Sequence, residues 1–439
     1  MSRLQTLLSA GTYQTYAYAY PHKTAYRPLD QRYALANLWA QENRGALFLY
    51  VHIPFCEMRC GFCNLFTQHQ PQSEVMAAYL NTLARQAKAV KTCLGNVEFA
   101  RLAIGGGTPT LLETADLARL FEGMAETMGV DLEAIPISVE GDPRTLTPDK
   151  LACLRSHHVD RLSIGIQSFV EAETAAVGRP QPTAIAMQAL QQIRDGDFPI
   201  LNIDLIYGLP GQTLDTWRYS LETALQFAPE EVYLYPLYVR PLTGLGRAAK
   251  RWQDQRLTYY RYGRDWLLAQ GYQQVSMRMF RSPLATNLEG PVYCCQDDGM
   301  VGLGCGARSY TQSLHYASDY AVGASRIAEI LKAYIESTDS AFESAHYGFV
   351  LDTNDQRRRY VIQSLLQTEG LDLRGYQHRF QHQVLTDLPE LMELLGLGLG
   401  EQTETHLILN PAGLEQSDTL GPWLYSQKVQ HLMETYAWS

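Results

Sequence analysis

Between Leu47 and Val239 the chain repeats one pattern, a short apolar run followed by a longer stretch with helical spacing. The runs are LFLYVHI (47–53), FARLAIGG (99–106), ISVEGDP (137–143), RLSIGIQSF (161–169), LNIDLIYGLP (201–210) and EVYLYPLYV (231–239). Helical stretches lie at 75–94, 111–128, 147–157, 183–195 and 213–227. Thr147 and Pro148 give one of these helices a cap and a first-turn proline. Six such units in a row predict an α/β fold, a parallel sheet curved into an open, partial (β/α)6 barrel. In such a barrel the active groups stand at the carboxyl ends of the strands.

The remainder divides around this core. Residues 1–46 read as an N-terminal extension with an aromatic stretch, YQTYAYAYPHKTAY (13–26), whose tyrosines are expected to pack against the main domain. Residues 47–250 form the barrel, and 251–345 a connecting segment completing the active site, with a helical stretch at 254–270. Residues 346–439 form a small C-terminal domain, helical or winged-helix-like. Its helices fall at 355–367 and 387–396, its strand HLILN at 406–410, and a last helix follows.

A chain of 439 residues has room for two or three domains, and 46% hydrophobic with 19% charged residues is ordinary for a soluble enzyme. The formal net charge of −10 argues against a nucleic-acid or anionic-membrane partner, so any anion site must be local. MSRLQTLLSAG lacks the form of a signal peptide, and no stretch approaches the roughly 18 apolar residues of a membrane span. The eight cysteines are too few for a disulfide scaffold, and three fall within eight residues. That usage points to the reducing cytoplasm and to thiolate ligands.

Those three, Cys56-x3-Cys60-x2-Cys63, follow the first strand in a loop with Pro54 and Gly61. Three thiolates satisfy three irons of a [4Fe–4S] cube and leave the fourth open to the amino and carboxylate groups of S-adenosylmethionine (SAM). Structural zinc completed by His52 or His69 is the competing reading, although zinc sites usually pair C-x2-C with a second ligand pair absent nearby.

The surrounding motifs decide between them. YVHIPFCEMRCGFCN (50–64), IGGGTPT (104–110), VEGDP (139–143), RLSIGIQSF (161–169), GRP (178–180), DLIYGLPGQT (204–213) and GLGCGARSY (302–310) occur in one order. The set resembles the coproporphyrinogen III oxidase-like (HemN-like) family of radical SAM proteins, over 47–310 strongly and over LNPAGLEQSDTLGPWLYS (409–426) more weakly. The resemblance implies a radical SAM core in which Cys56, Cys60 and Cys63 hold a [4Fe–4S] cluster. One electron then cleaves SAM to methionine and a 5′-deoxyadenosyl radical, which takes hydrogen from an unactivated carbon. The electron would come from a donor such as flavodoxin or ferredoxin. It further implies that Tyr50, Gly106, Glu140 and Arg308 contact a cluster-bound SAM, and Phe62, Gly107, Thr108, Gln167, Arg179 and Asp204 a second SAM. On chemistry alone, Gly105 to Gly107 let backbone approach a ligand where any Cβ would clash, or else make a tight strand–helix turn. Asp204, bracketed by Ile203 and Leu205, needs a donor if buried. Tyr50 and Phe62 could equally be core aromatics.

Two departures from named relatives matter. The oxidase has a further cysteine two positions after the triplet, where this chain has Leu65. The family's heme chaperones carry HNxxYW before the GLG segment, where this chain has PVYCCQDDGMVGLG (291–304). Cys294, Cys295 and Cys305 could bind substrate, ligate a metal or be quiet core thiols, and Arg240 with Arg308 could bind a carboxylate at the mouth. The expectation is an oxidoreductase like the coproporphyrinogen dehydrogenases of porphyrin biosynthesis, acting on a tetrapyrrole or another anionic small molecule. The alternatives are a heme chaperone and a radical SAM methyltransferase or cyclopropanase using two SAM molecules.

Overall fold

The computed structural model describes residues 2–17, 19–247, 253–288 and 290–438. Of the aromatic stretch, Tyr18 lies outside the described residues, as do 248–252 and Glu289 within the barrel and the connecting segment.

One 13-stranded sheet organises the chain. The expected strands form as Leu47–Ile53, Phe99–Gly106, Ile137–Gly141, Arg161–Gln167, Ile200–Tyr207 and Glu231–Pro236, each parallel to the next. Their ends are set chemically. Pro236, which has no N–H to continue a ladder, closes the last strand, and Gln167 at φ +68° turns its strand out of the β region. Helices connect them as expected, among them Thr183–Asp195 and Leu214–Leu225, the latter capped by Thr213, which accepts from the Thr216 N–H. The helix expected over 111–128 is shorter, Thr114–Gly123 followed by a π turn that ends at left-handed Gly129.

The sheet is wider than the repeat foretells. Met300–Leu303 pairs parallel with Leu47–Ile53, so the connecting segment supplies a seventh parallel strand beside the cysteine loop. Antiparallel strands flank both sides: Met279–Arg281 and Gln273–Gln274 beyond Glu231–Pro236, and Arg308–Tyr310, Leu314–Ala317, Ser344–Val350 and Arg27–Ala34 beyond Met300–Leu303. The two edges do not meet, so the barrel is open.

Alternation decides what faces the lumen. Val139, Leu162, Ile164, Leu201, Ile203, Leu205, Val232 and Leu234 are fully enclosed against the helices. The intervening Glu140, Ser163, Asn202, Asp204, Tyr233 and Tyr235 point the other way, in register across neighbouring strands.

The C-terminal region combines helices such as Thr353–Leu365 and Leu373–Phe380 with a three-stranded sheet of Leu371–Asp372, Gly400–Gln402 and His406–Leu409. Its core includes Leu4, Tyr20 and Tyr26 from the N-terminal extension. The tyrosines of the aromatic stretch do pack: Tyr13 lies 6.1 Å from Tyr207 and Tyr16 6.2 Å from Tyr235, ring centre to ring centre. A buried Arg278–Asp418 ion pair, with Tyr238 donating to the same carboxylate, ties the C-terminal helices to the barrel wall.

Candidate active site

The cysteine loop and the glycine loop are zipped together by backbone. Gly107 N–H donates to the Ile53 carbonyl at 2.8 Å and Thr108 N–H to the Phe55 carbonyl at 2.7 Å. Gly106 and Gly107 are required by what already fills the space, and Gly105 is crowded by the movable end of a side chain. A Cβ on Gly105 would stand 2.8 Å from the Glu140 carboxyl carbon, one on Gly106 would strike the His52 ring, and one on Gly107 would stand 2.5 Å from the Phe55 oxygen. The tight-turn reading of this run is therefore physically sufficient, and the same packing brings the loop against the cysteines.

Cys56, Cys60 and Cys63 are free, half-buried thiols. The Thr108 hydroxyl donates to Cys56 Sγ at 3.7 Å, and Arg179 Nη1 to Cys60 Sγ at 3.3 Å. Burial, reinforced by Cys63, pushes the Cys56 thiol up to about 12, and burial, reinforced by Cys60, raises that of Cys63. Metal coordination reverses that by taking the thiolate form. Among the described residues no three His, Cys, Asp or Glu side chains converge as one metal ion needs. His52 is engaged elsewhere: its Nε2 lies 3.0 Å from the Phe66 carbonyl and its Nδ1 3.2 Å from the Tyr50 hydroxyl. Three thiols on one loop, two receiving hydrogen bonds from loop residues Thr108 and Arg179, are a donor set suited to three separate irons.

The other expected residues distribute around this loop. Tyr50, His52, Gly106 and Glu140 are linked on one side, where Gly106 N–H donates to Glu140 Oε2 at 3.0 Å. Glu140 opens onto the lumen, yet surrounding protein raises its pKa against the opposing pull of Gly106 N–H and Arg161. On the other side Gln167 ends its strand beside Gly165, which pairs with Asp204. Burial pushes Asp204 up to about 7, although Asn202 donates to it at 2.8 Å and Arg161 lies nearby. Arg179 is buried and committed: it also donates to the Gly165 carbonyl at 2.7 Å and pairs with Asp142 at 2.9 Å. Phe62 packs on the small apolar cluster of Val177, Ile206, Leu209 and Leu237. Arg308 stands beside Tyr310, 5.9 Å from its ring centre, and acts electrostatically on His22, Lys23 and His52.

Several residues near the site lie outside the expected contacts, although Asp142 falls in the VEGDP motif. Lys23 reaches the carbonyl of Asn64, next to the last cysteine, from 41 positions away. Asp142 and Asn202 serve through the groups they orient, Arg179 and Asp204. The three downstream cysteines separate: Cys305 is buried against Ser318, while Cys294 and Cys295 both contact Gln296.

The Radical SAM superfamily description matches residues 50–224 and the HemN C-terminal domain description matches 351–415. The heme chaperone HemW of Bacillus subtilis (strain 168) is 26% identical over 373 residues, spanning 83% of this chain and 95% of its own length. The oxygen-independent coproporphyrinogen III oxidase of Salmonella typhimurium is 28% identical over 447 aligned positions, 94% of each chain. The solved structure of coproporphyrinogen III oxidase (HemN) from Escherichia coli superposes with a TM-score of 0.78 and 25% identity over 99% of both chains. A radical SAM core followed by a HemN-type C-terminal domain, on one mixed sheet that matches a HemN structure from end to end, places this chain in the HemN-like family of radical SAM proteins.

Proposed function

We propose that the chain is a radical SAM enzyme whose cluster ligands are Cys56, Cys60 and Cys63 and whose substrate is a tetrapyrrole or similarly bulky, anionic small molecule. One observation carries the reading: Thr108 of the glycine loop and Arg179 of the turn after the helix Glu171–Ala176 aim their donors at the cysteine sulfurs. Cys56, Cys60 and Cys63 would hold the cluster, which would supply the electron that splits SAM into methionine and a 5′-deoxyadenosyl radical. The chain's own residues bind and orient. Glu140 and Asp204 present carboxylates in the lumen to sugar hydroxyl or ammonium groups, and Gln167 adds an amide at the next strand end. Tyr50, Gly106, Glu140 and Arg308 would serve the SAM at the cluster. Phe62, Gly107, Thr108, Gln167, Arg179 and Asp204 would serve a second SAM, as substrate or as a methyl or methylene donor.

Leu65, 45% exposed, stands where the oxidase carries a further cysteine, and a leucine offers neither thiolate nor polar contact. The reaction is accordingly not the conversion of coproporphyrinogen III to protoporphyrinogen IX. Anaerobic incubation of the reconstituted chain with SAM, dithionite and coproporphyrinogen III tests this, with mass spectrometry of every product. The expected result is 5′-deoxyadenosine without protoporphyrinogen. Stoichiometric protoporphyrinogen would overturn the exclusion of coproporphyrinogen III, and absence of 5′-deoxyadenosine would overturn the enzyme reading. The likeness to a HemW chaperone supports a second reading, heme binding. Stoichiometric heme capture with no altered small molecule would favour it. S-adenosylhomocysteine accumulating with 5′-deoxyadenosine would instead mark a methyl or methylene transfer.

A further inference from the structure

A cavity of about 280 Å³ lies beside the turn 304–306, which joins the strands Met300–Leu303 and Arg308–Tyr310. The helices Ser73–Leu94 and Ala324–Ile335 wall it, and Leu35, Val90, Ile330, Phe342 and Ala345 give it an apolar lining. Two polar side chains of the lining hold the turn. Gln86 Oε1 accepts the Gly304 N–H at 2.8 Å and the Tyr334 hydroxyl at 2.7 Å, and Ser318 Oγ accepts the Gly306 N–H at 2.9 Å. The N–H between them, that of Cys305, goes at 3.1 Å to the Tyr79 hydroxyl, which itself donates to the His52 carbonyl at 2.6 Å. Two donors on one amide oxygen fix which way the Gln86 amide faces. Its NH2 group is then left with no acceptor among the described residues, at the wall of the cavity.

We infer that this cavity binds a small neutral molecule carrying a carbonyl oxygen on a hydrocarbon frame. The Gln86 NH2 group supplies the directed donor, and the apolar walls take the frame. The volume is close to the lower end of small-molecule sites, which fits a ligand of roughly ten heavy atoms. An anion is poorly matched, because the lining's arginine, Arg326, is already shared between Asp319 at 3.3 Å and Glu329 at 2.9 Å. The site bears on the lumen through the turn. A Cβ on Gly306 would lie 2.9 Å from His52 Nε2, so the turn packs on that ring, and Arg308, an expected SAM contact, follows two residues later. A ligand that braces Gln86 braces the Gly304 N–H with it, so occupancy protects the turn from opening.

The probe is acetophenone, titrated by calorimetry into the reconstituted full chain. The controls are α-methylstyrene, in which a methylene group replaces the carbonyl oxygen, and benzoate. Acetophenone should bind saturably, α-methylstyrene about tenfold more weakly, and benzoate not at all. Bound acetophenone should slow amide hydrogen exchange at Gly304. Gln86→Glu keeps the oxygen that Gly304 and Tyr334 use but sets a second oxygen where the donor was, and should lower acetophenone affinity about tenfold. Ala345→Leu fills the cavity and should abolish binding, with its melting curve showing that the fold survives. No saturable binding to the wild type, equal affinity for acetophenone and α-methylstyrene, or undiminished binding by either folded variant overturns the inference. Protection that appears in the lumen strands and not at the turn overturns it as well. The two isosteric probes are compared on the wild type, so that result decides even where a variant fails to fold.

Discussion

Replacing Gly107 by alanine adds one methyl group where the glycine loop meets the cysteine loop. Gly107 does not adopt a left-handed backbone, so the effect is steric alone. The new Cβ would lie 2.5 Å from the Phe55 oxygen, 2.9 Å from the Ile53 oxygen and 2.9 Å from the Phe55 nitrogen, all backbone atoms that no rotamer change can move. Overpacking of this kind costs about 1–3 kcal/mol. Separating the loops also strains the Gly107–Ile53 and Thr108–Phe55 hydrogen bonds, worth about 1 kcal/mol each. The local penalty is then about 3–5 kcal/mol, which raises the population of the opened loop by a factor of roughly 100 or more. Amide hydrogen exchange at Thr108 should accelerate accordingly, and iron incorporation should fall. Gly123→Ala is the control: it ends the helix Thr114–Gly123 with nothing within 4 Å of an added Cβ. It should leave exchange at Thr108 unchanged and stabilise by up to about 1 kcal/mol. Wild-type protection of Thr108 and full iron in Gly107→Ala would refute the packing argument.

Three further outcomes follow from buried charges. Asp204 titrates near 7, above its unfolded value, so its contribution to stability is present below about pH 4 and is lost as pH rises through 7; Asp204→Asn should raise the melting temperature at pH 8, give no gain at pH 4, and weaken SAM use without loss of iron. Arg179→Met leaves Asp142 with Arg144 alone and strips a donor from Cys60, so denaturant unfolding should show a loss of about 3 kcal/mol and iron should bind less tightly. Asp418→Ala leaves Arg278 buried without its carboxylate; calorimetry should show about 3–5 kcal/mol lost and the C-terminal helices melting apart from the barrel.

What the sequence disclosed depends on how each feature is encoded. The barrel strands are legible because their outward residues are uniformly apolar and their lengths exceed five residues or sit between clear helices. Met300–Leu303 was not, since four residues carry no period and their neighbour in the sheet, Leu47–Ile53, lies about 250 positions away. Arg27–Ala34 hides for another reason: as an edge strand it reads RPLDQRYA, polar and with a proline at its second position, as edges that avoid pairing with other chains tend to be.

The site divides the same way. Glu140 and Gln167, at the carboxyl ends of apolar strands, and Asp204, within one, could be read because a polar residue there must turn into the lumen when its neighbours turn out. Lys23 acts through space on a group that another segment supplies, and no local spacing marks it; Asp142, within the VEGDP run, meets Arg179, and Asn202 holds Asp204 two positions along its own strand. The glycine run sits between these cases. Its sequence shows that side chains are excluded there, but what excludes them is His52, Phe55 and Glu140, each already holding a position in the site. A motif can therefore mark a ligand loop through the protein atoms it must accommodate. For that reason Gly107→Ala should disturb the cysteine loop before it disturbs any contact to SAM.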